Sequence, residues 1–329
     1  MRVRTNNSRS YNLRGVLARG VKKIVSATIC DLAAKLPLLI GGLLDRESKL
    51  KRGRFREETM TDIITGALAA FAGPNLVIQY PVEVETGGDL DLRFWHAESD
   101  RNLNVRIQAK RLNAEKDGTK KVKIKHRAYD ELLHKPPTGT DYQFRVLRDA
   151  PAPWLPLYMF YNHQSVTVDP ELAGTTPTVR GINLAFACDV ADELEDKLAS
   201  AAAKPRKIKH HKRLSHLRKH FFGLEAILCP AGDWKSETVP PPDLVQMSLR
   251  EQYRMYEDDK TEKEIPDIVR RWLLEPTGLA VSRGIRRLSD GPSIRVRQDV
   301  EVPTITFISG RTADDRTPVI NDDTDRRRG

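Results

Sequence analysis

The first half of the chain carries hydrophobic residues at two different spacings. Between residues 56 and 73, apolar side chains recur every three to four positions, the period of an amphipathic helix. These apolar residues are Ile63, Ile64, Ala67, Leu68 and Phe71. Gly73-Pro74 would end this helix, and Glu57 and Glu58 lie in its first turn, where the helix dipole favours acidic side chains.

Three segments after this helix alternate apolar and polar residues with a period of two. This period predicts strands at 76–85, 89–95 and 103–111. Pro81 interrupts the first strand, and polar turns between the strands predict short, hairpin-like links. In the third strand, one face would carry Val105, Ile107 and Ala109, and the other face Arg106, Gln108 and Lys110.

The rest of the chain combines both kinds of element. Its patterns predict a short helix at 129–134, strands at 156–162 and 181–190, a helix at 191–204 and a helix at 265–275. This mixture indicates an α/β or α+β fold. The predicted division is a basic N-terminal arm and helix at 1–50, a core domain at 51–232, a C-terminal extension of unknown role at 233–310 and a charged, disordered tail at 311–329.

The charge balance adds an expectation about partners. The chain has a formal net charge of +10 and a pI of about 9.5, which favours nucleic acid as partner before an anionic membrane surface. Residues 1–30 hold seven Lys and Arg residues and no acid, and residues 204–220 hold eight. A solvated basic surface without a partner is the alternative for both segments. The candidate phosphate contacts are Arg111, Lys120, Lys121, Lys123, Lys125, Lys207, Lys209, Lys212 and Arg213.

The cysteines and the most apolar segment bear on the compartment. Cys30, Cys188 and Cys229 are odd in number and widely spaced, and the chain has no CxxC motif. This pattern argues against a disulfide framework and a zinc site, and it favours a reducing cytoplasm. The most apolar run, 27–44, contains charged residues and Pro37, so we expect no membrane-spanning helix.

Polar side chains of two strands would converge if those strands are neighbours. Asp89 or Asp91 would then lie opposite Gln108, and Lys110 would project from the same face of the sheet. A carboxylate, an amide oxygen and a phosphate oxygen are suitable ligands for Mg²⁺, and Mn²⁺ takes similar ligands. Lys110 would orient the attacking water or stabilise the charge that builds on phosphorus, and Glu58 would add a carboxylate from the helix.

These residues also carry a resemblance to a known superfamily. The order Glu58, Asp89, Gln108-Ala109-Lys110 resembles the PD-(D/E)xK nucleases, and "IQAKR" is similar to the Q-x-K variant of Mrr-type restriction endonucleases. The segments "E-x-x-T-D" (58–62), "TGGD" (86–89), "IQAKRL" (107–112) and "PLYMFYN" (156–162) resemble a prokaryotic family of nuclease-like proteins without a characterised function. The resemblance covers roughly residues 55–230.

The resemblance implies both a fold and a set of roles. It implies a restriction-endonuclease-like α/β fold, in which helices flank a mixed central sheet and the site lies at one end of a bent hairpin. It also implies that Asp89 and Gln108 bind the metal, that Lys110 is catalytic, and that Glu58 binds a metal directly or through water. Gly88 stands where the superfamily has proline, and Asp91 is the alternative to Asp89.

The implied activity is metal-dependent hydrolysis of DNA, in defence against foreign DNA or in DNA repair, and a homodimer would supply two sites for cutting both strands. RNA is a second candidate substrate. The main alternative function is a nucleic-acid-binding protein with a degenerate, inactive site, because glutamine brings less charge to a metal than glutamate. A third candidate is a basic scaffold that binds RNA or a partner. For the site residues, the alternative is an exposed polar strand face, which is common in antiparallel sheets.

Overall fold

A computed structural model of the chain provides the structure. It describes residues 28–47, 55–72, 75–80, 89–113, 124–135, 141–151, 153–203, 212–231, 234, 239–255, 269–270, 273, 285–287, 294–297, 300, 302–311 and 319–321. The predicted helix at 265–275 lies mostly outside these residues.

The described part of the chain contains both helices and strands. The helices are α1 (Ile29–Glu47), α2 (Glu57–Ala72), α3 (Gln143–Arg148), α4 (Gln164–Thr167), α5 (Ala187–Ala203), α6 (Leu214–Leu217), α7 (Glu225–Leu228) and α8 (Pro242–Met255), with 3-10 helices at Ile124–His126, Asp130–Leu133 and Arg218–His220. The strands are β1 (Leu76–Gln79), β2 (Leu90–His96), β3 (Arg101–Arg111), β4 (Trp154–Tyr161), β5 (Ile182–Phe186), β6 (Phe222–Gly223), β7 (Ile285–Arg287), β8 (Ile294–Arg297), β9 (Thr304–Ser309) and β10 (Val319–Asn321).

Seven of the strands form a mixed central sheet in the order β1-β9-β2-β3-β4-β5-β6. Strand β3 pairs antiparallel with β2 and parallel with β4, and it therefore lies near the middle of the sheet. The predicted α/β class and the predicted order of one helix and three strands are confirmed. Strands β7, β8 and β10 form a second, three-stranded sheet.

Strand β9 pairs with strands that are much farther away in the chain than the sequence predicted. It lies between β1 and β2, antiparallel to the first and parallel to the second. The predicted hairpin-like link is therefore correct for β2–β3 and wrong for β1–β2, because a distant strand fills the position between them. The segment predicted as a C-terminal extension, 233–310, contributes this strand to the central sheet, and β10 lies inside the predicted disordered tail, 311–329.

Each face of the sheet buries a different core. The first face is apolar across its whole width, and helices α1, α2, α7 and α8 pack on it. The second face is apolar beside β4 and β5, where α5 covers it, and it carries buried polar residues along β2, β3 and β9. The candidate site residues Gln108 and Lys110 therefore lie on this second face, as the alternation along β3 predicted.

A disulfide joins two helices on the first face. Cys30, in the first turn of α1, is bonded to Cys229, the residue that follows α7. The sequence argued against a disulfide framework and did not indicate this single bond, because the two cysteines are 199 residues apart in the chain and spacing along a chain does not determine spacing in a fold. Cys188 is a buried free cysteine.

Reduction of this disulfide is expected to destabilise the protein. A bridge across so long a loop restricts the unfolded chain, so Cys229→Ser should lower the free energy of unfolding by about 2–5 kcal/mol. Urea unfolding with and without dithiothreitol measures the effect. Dithiothreitol should lower the midpoint of the wild type and leave that of Cys229→Ser unchanged. An identical wild-type midpoint in both conditions would show that the two cysteines are thiols in solution.

Candidate active site

Gln108 and Lys110 project from the second face near the C-terminal end of β3. Gln108 is fully buried and Lys110 is 3% exposed. The alternative of an exposed polar strand face is therefore wrong for both residues, since β3 lies inside the sheet with neighbours on both sides. A buried lysine is rare unless a charged partner compensates for its desolvation, so its surroundings are informative.

Asp89 lies beside these two residues at the start of β2. Its backbone N–H donates to the carbonyl of Ile107 at 2.9 Å, which extends the β2–β3 register and places Asp89 opposite Gln108. Its Oδ2 accepts a hydrogen bond from the backbone N–H of Ala109 at 2.6 Å. Adjacent strands thus bring the carboxylate, the amide and the ammonium together, as the sequence predicted.

Glu57 supplies the closest acidic contact with the lysine. It begins α2, and its Oε2 lies 3.4 Å from Nζ of Lys110. Its Oε1 accepts a hydrogen bond from the backbone N–H of Arg111 at 2.8 Å. These contacts attach the first turn of α2 to the end of β3, and they orient the lysine side chain.

The sequence pattern indicated Glu58 for this position, whereas Glu57 occupies it in the structure. Glu58 is exposed, although its charge acts on Asp89. Successive helix residues point about 100° apart, so the first-turn pair contained the signal, but only the packing of α2 shows which carboxylate faces the strand. Glu131, on the 3-10 helix at Asp130–Leu133, was also missed, and its charge acts on both Glu57 and Asp89.

The site therefore has an acidic electrostatic character. Burial raises the pKa of Asp89 above its ordinary value of 3.8, against the opposing effects of Lys110 and of the Ala109 hydrogen bond. Burial likewise raises the pKa of Glu57 above 4.5, again opposed by Lys110. The surrounding carboxylates add to both shifts. Such a surplus of negative charge in a partly buried site favours a cation.

Asp91 has a different partner from Asp89. Its Oδ1 and Oδ2 accept hydrogen bonds from Nε and Nη2 of Arg106, each at 2.9 Å, and both side chains are buried. The Arg106 guanidinium also lies 4.6 Å from the centre of the Trp154 ring. This two-point ion pair indicates a structural role for Asp91, so the geometry favours Asp89 over Asp91 as a ligand.

Replacing Asp91 with asparagine is expected to destabilise the fold. The substitution removes the charge that balances a buried guanidinium, which should cost about 3–5 kcal/mol of unfolding free energy. Chemical denaturation at neutral pH measures it, and Asp243→Asn, at an exposed ion pair with Arg101, is the matched control. Equal stability losses in the two variants would contradict a structural role for the buried pair.

The donor set fits a hard divalent cation. Mg²⁺ takes oxygen ligands, commonly one or two carboxylates with several waters, and Asp89 with the amide oxygen of Gln108 could provide such a set. Among the described residues, no group of three or more His, Cys, Asp and Glu side chains is arranged to hold a metal. The ligands of a metal here would thus include the amide oxygen of Gln108 and water molecules in addition to carboxylates.

The predicted nucleic-acid contacts are only partly described. Lys120, Lys121, Lys123, Lys207 and Lys209 lie outside the described residues. Lys125 forms an ion pair with Glu171 at 3.0 Å. Arg213 precedes α6 and pairs with Ala128 in an isolated bridge. The carbonyl of Lys212 accepts a hydrogen bond from the backbone N–H of Tyr129, and Arg111 lies beside the site at the end of β3.

In the described part of the chain, no helix has the length and apolar character needed to cross a membrane.

Comparisons with other proteins place the chain in a family. A search of the curated proteins found no match, and a search of the solved structures found none either. A family model matches residues 29–313, a range that runs from α1 to beyond β9 and joins the predicted core to the predicted extension. The chain therefore belongs to DUF6615, a family of unknown function.

Proposed function

We propose that the protein is a metal-dependent nuclease that hydrolyses DNA. The observation that carries the proposal is the buried ammonium of Lys110, next to Glu57 and on one sheet face with Gln108, with Asp89 at the neighbouring strand. A buried lysine among carboxylates at one end of a β-hairpin is the arrangement that the resemblance to PD-(D/E)xK nucleases implies.

The metal fits the chemistry of these side chains. Mg²⁺, or Mn²⁺ in its place, would supply a more acidic bound water and would stabilise negative charge on the phosphate. Asp89 and Gln108 would hold it. The Ala109 N–H fixes one carboxylate oxygen of Asp89, so the orientation of this ligand is set by the backbone of β3.

Lys110 acts on the reacting phosphate in this proposal. Water adds to phosphorus and gives up a proton, one ester P–O bond breaks, and its oxygen leaves as a protonated hydroxyl. Negative charge increases on the phosphate oxygens in the transition state. A positive charge already held in place stabilises this state without reorganisation. Glu57 contributes by holding Nζ of Lys110, which makes it a positioning residue.

The charge of the chain supports a nucleic acid as substrate. With a net charge of +10, the protein would attract phosphate backbones, and such contacts are independent of sequence. Arg111 is the described basic residue nearest in the chain to the lysine. A homodimer would place two such sites on a duplex. RNA offers the same backbone charges and is the second substrate to test.

A nucleic-acid-binding protein without catalytic activity is the second candidate. Two observations favour it: Gln108 brings no charge to a metal, and both oxygens of Glu57 are engaged by Lys110 and Arg111. Such a protein would bind DNA in a salt-sensitive manner and would leave it uncut.

Defence against foreign DNA and DNA repair are the proposed roles, and both would place the protein in the cytoplasm. The Cys30–Cys229 disulfide is the observation that opposes this compartment, since disulfides are rare in a reducing cytoplasm. Trapping thiols in cells by rapid alkylation measures the state of the pair. A fully oxidised pair would contradict the cytoplasmic proposal.

Incubation with several nucleic acids tests the function. Supercoiled plasmid, linear duplex, single-stranded DNA and RNA would each be incubated with Mg²⁺, Mn²⁺ or EDTA. We expect cleavage of DNA that needs the metal and stops in EDTA. Salt-sensitive binding without cleavage under all these conditions would contradict the nuclease and support the binding protein.

A further inference from the structure

Tyr158 lies in the same row of the sheet as the proposed metal ligands. Strand β4 is parallel to β3, and the register pairs Tyr158 with Gln108. Asp89 lies opposite Gln108 on the other side. Side chains paired across adjacent strands point to the same face, so three neighbouring strands present a carboxylate, an amide and a phenol side by side.

The hydroxyl of Tyr158 is buried without a hydrogen-bond partner in the described part of the chain. Two other buried tyrosines differ: Tyr129 donates to Oδ1 of Asn162 at 2.5 Å, and Tyr161 is 2.9 Å from Oγ1 of Thr61. Buried hydroxyl groups are nearly always paired, because an unpaired one loses its hydration without compensation. The exception at Tyr158 thus requires an explanation.

The charge of Asp89 acts on this hydroxyl, as it also does on that of Tyr161, so the position of Tyr158 in the row and its unpaired hydroxyl are what distinguish it. Burial raises the pKa of Tyr158, and the charge of Asp89 raises it further, so the phenol stays protonated at neutral pH. A protonated phenol next to an anionic cluster is a hydrogen-bond donor. The ring itself is fixed, because it stacks on Phe160 with 5.6 Å between centroids.

We propose that Tyr158 is a positioning residue of the metal site, whose hydroxyl donates a hydrogen bond to a water molecule bound to the divalent cation. This inference rests on the proposed function, since it needs the cation at Asp89 and Gln108. It adds a residue that the sequence pattern does not indicate. Removing a group that hydrogen-bonds to the ligands or waters of a metal typically weakens metal binding by roughly 10- to 100-fold.

Titration with Mn²⁺, followed by electron paramagnetic resonance, tests the inference without any substrate. Tyr158→Phe should raise the dissociation constant of the full-length protein for Mn²⁺ about 10-fold. Tyr161→Phe is the matched control, since its hydroxyl already has a protein partner on the opposite face of the same strand. Its dissociation constant should stay within about twofold of the wild-type value.

Thermal unfolding in EDTA gives a second readout that separates the two variants. Tyr158→Phe removes a buried hydroxyl that has no hydrogen-bond partner among the described residues, and it should leave Tm unchanged or raise it. Tyr161→Phe breaks a buried hydrogen bond and should lower Tm. The same measurement shows that both variants are folded.

The outcomes separate this inference from the proposed function. Wild-type affinity in Tyr158→Phe, with binding lost in Asp89→Asn, would overturn the role of Tyr158 and leave the metal site intact. Equal weakening in Tyr158→Phe and Tyr161→Phe would also overturn it, because the effect would then be one of packing. A wild-type protein that binds no Mn²⁺ would overturn both the inference and the metal-dependent function.

Discussion

Replacing Lys110 with methionine is expected to abolish most of the DNA cleavage, with a rate loss of about 10²- to 10³-fold. The side chain keeps a similar length and apolar stem but loses its positive charge. The charge is the part that the proposed reaction needs, because it stabilises the phosphate as negative charge increases. The substitution also leaves Glu57 without the ammonium that lies 3.4 Å from it.

The chain offers a matched control for this substitution. Lys197, on α5, is also 3% exposed, and it is not among the residues assigned to the proposed site. Lys197→Met should therefore cleave at the wild-type rate if it is folded, which thermal unfolding checks. The rates would be measured at saturating Mg²⁺ on supercoiled plasmid. Equal rate losses in the two variants would show that burial of charge, rather than catalysis, explains the effect of Lys110→Met.

Replacing Asp89 with asparagine is expected to make the metal-free protein more stable while removing its activity. Asparagine is similar in shape and can still accept the Ala109 hydrogen bond. It removes the carboxylate that would hold the metal, so cleavage should fall on the order of 10³-fold, which corresponds to about 4 kcal/mol of transition-state stabilisation.

The sign of the stability change follows from the raised pKa of Asp89. Below 3.8 the carboxyl is protonated in both the folded and the unfolded state, and its ionisation costs no stability. As the pH rises from 3.8 through the higher pKa of the folded state, the fold becomes less stable, and the cost is complete above that pKa. Asp89→Asn should thus raise Tm at pH 7 in EDTA, and the gain should vanish at low pH.

Asp91→Asn is the internal contrast for this prediction. The two aspartates are two residues apart in the chain, but the carboxylate of Asp91 is paired with Arg106. Its replacement by asparagine should therefore lower Tm. Stability changes of the same sign in both variants, measured by thermal unfolding in EDTA, would contradict the different roles assigned to these residues.

The sequence predicted the local part of this site well. Alternation along β3 placed Gln108 and Lys110 on one face because the backbone of any strand turns successive side chains to opposite sides. The turn at 97–100 is short, so β2 and β3 pair as a hairpin and bring Asp89 to Gln108. Both results depend on residues that are close in the chain.

The predictions that failed concern contacts between residues that are far apart in the chain. The insertion of β9 between β1 and β2 and the Cys30–Cys229 bond each join residues about 200 or more apart, for which local patterns hold no information. The choice between Glu57 and Glu58 depends on how α2 docks. Tyr158 occupies an ordinary apolar position in a buried strand, and its row in the sheet appears only when β4 pairs with β3.

The decisive measurement for metal-dependent cleavage at Asp89 compares the wild type with Asp89→Asn on supercoiled plasmid, each with Mg²⁺ or with EDTA. We expect nicking by the wild type with Mg²⁺, none in EDTA, and a loss on the order of 10³-fold in the variant, although the variant is at least as stable. Cleavage by Asp89→Asn at the wild-type rate, or by the wild type in EDTA, would contradict a metal-dependent site at this strand end.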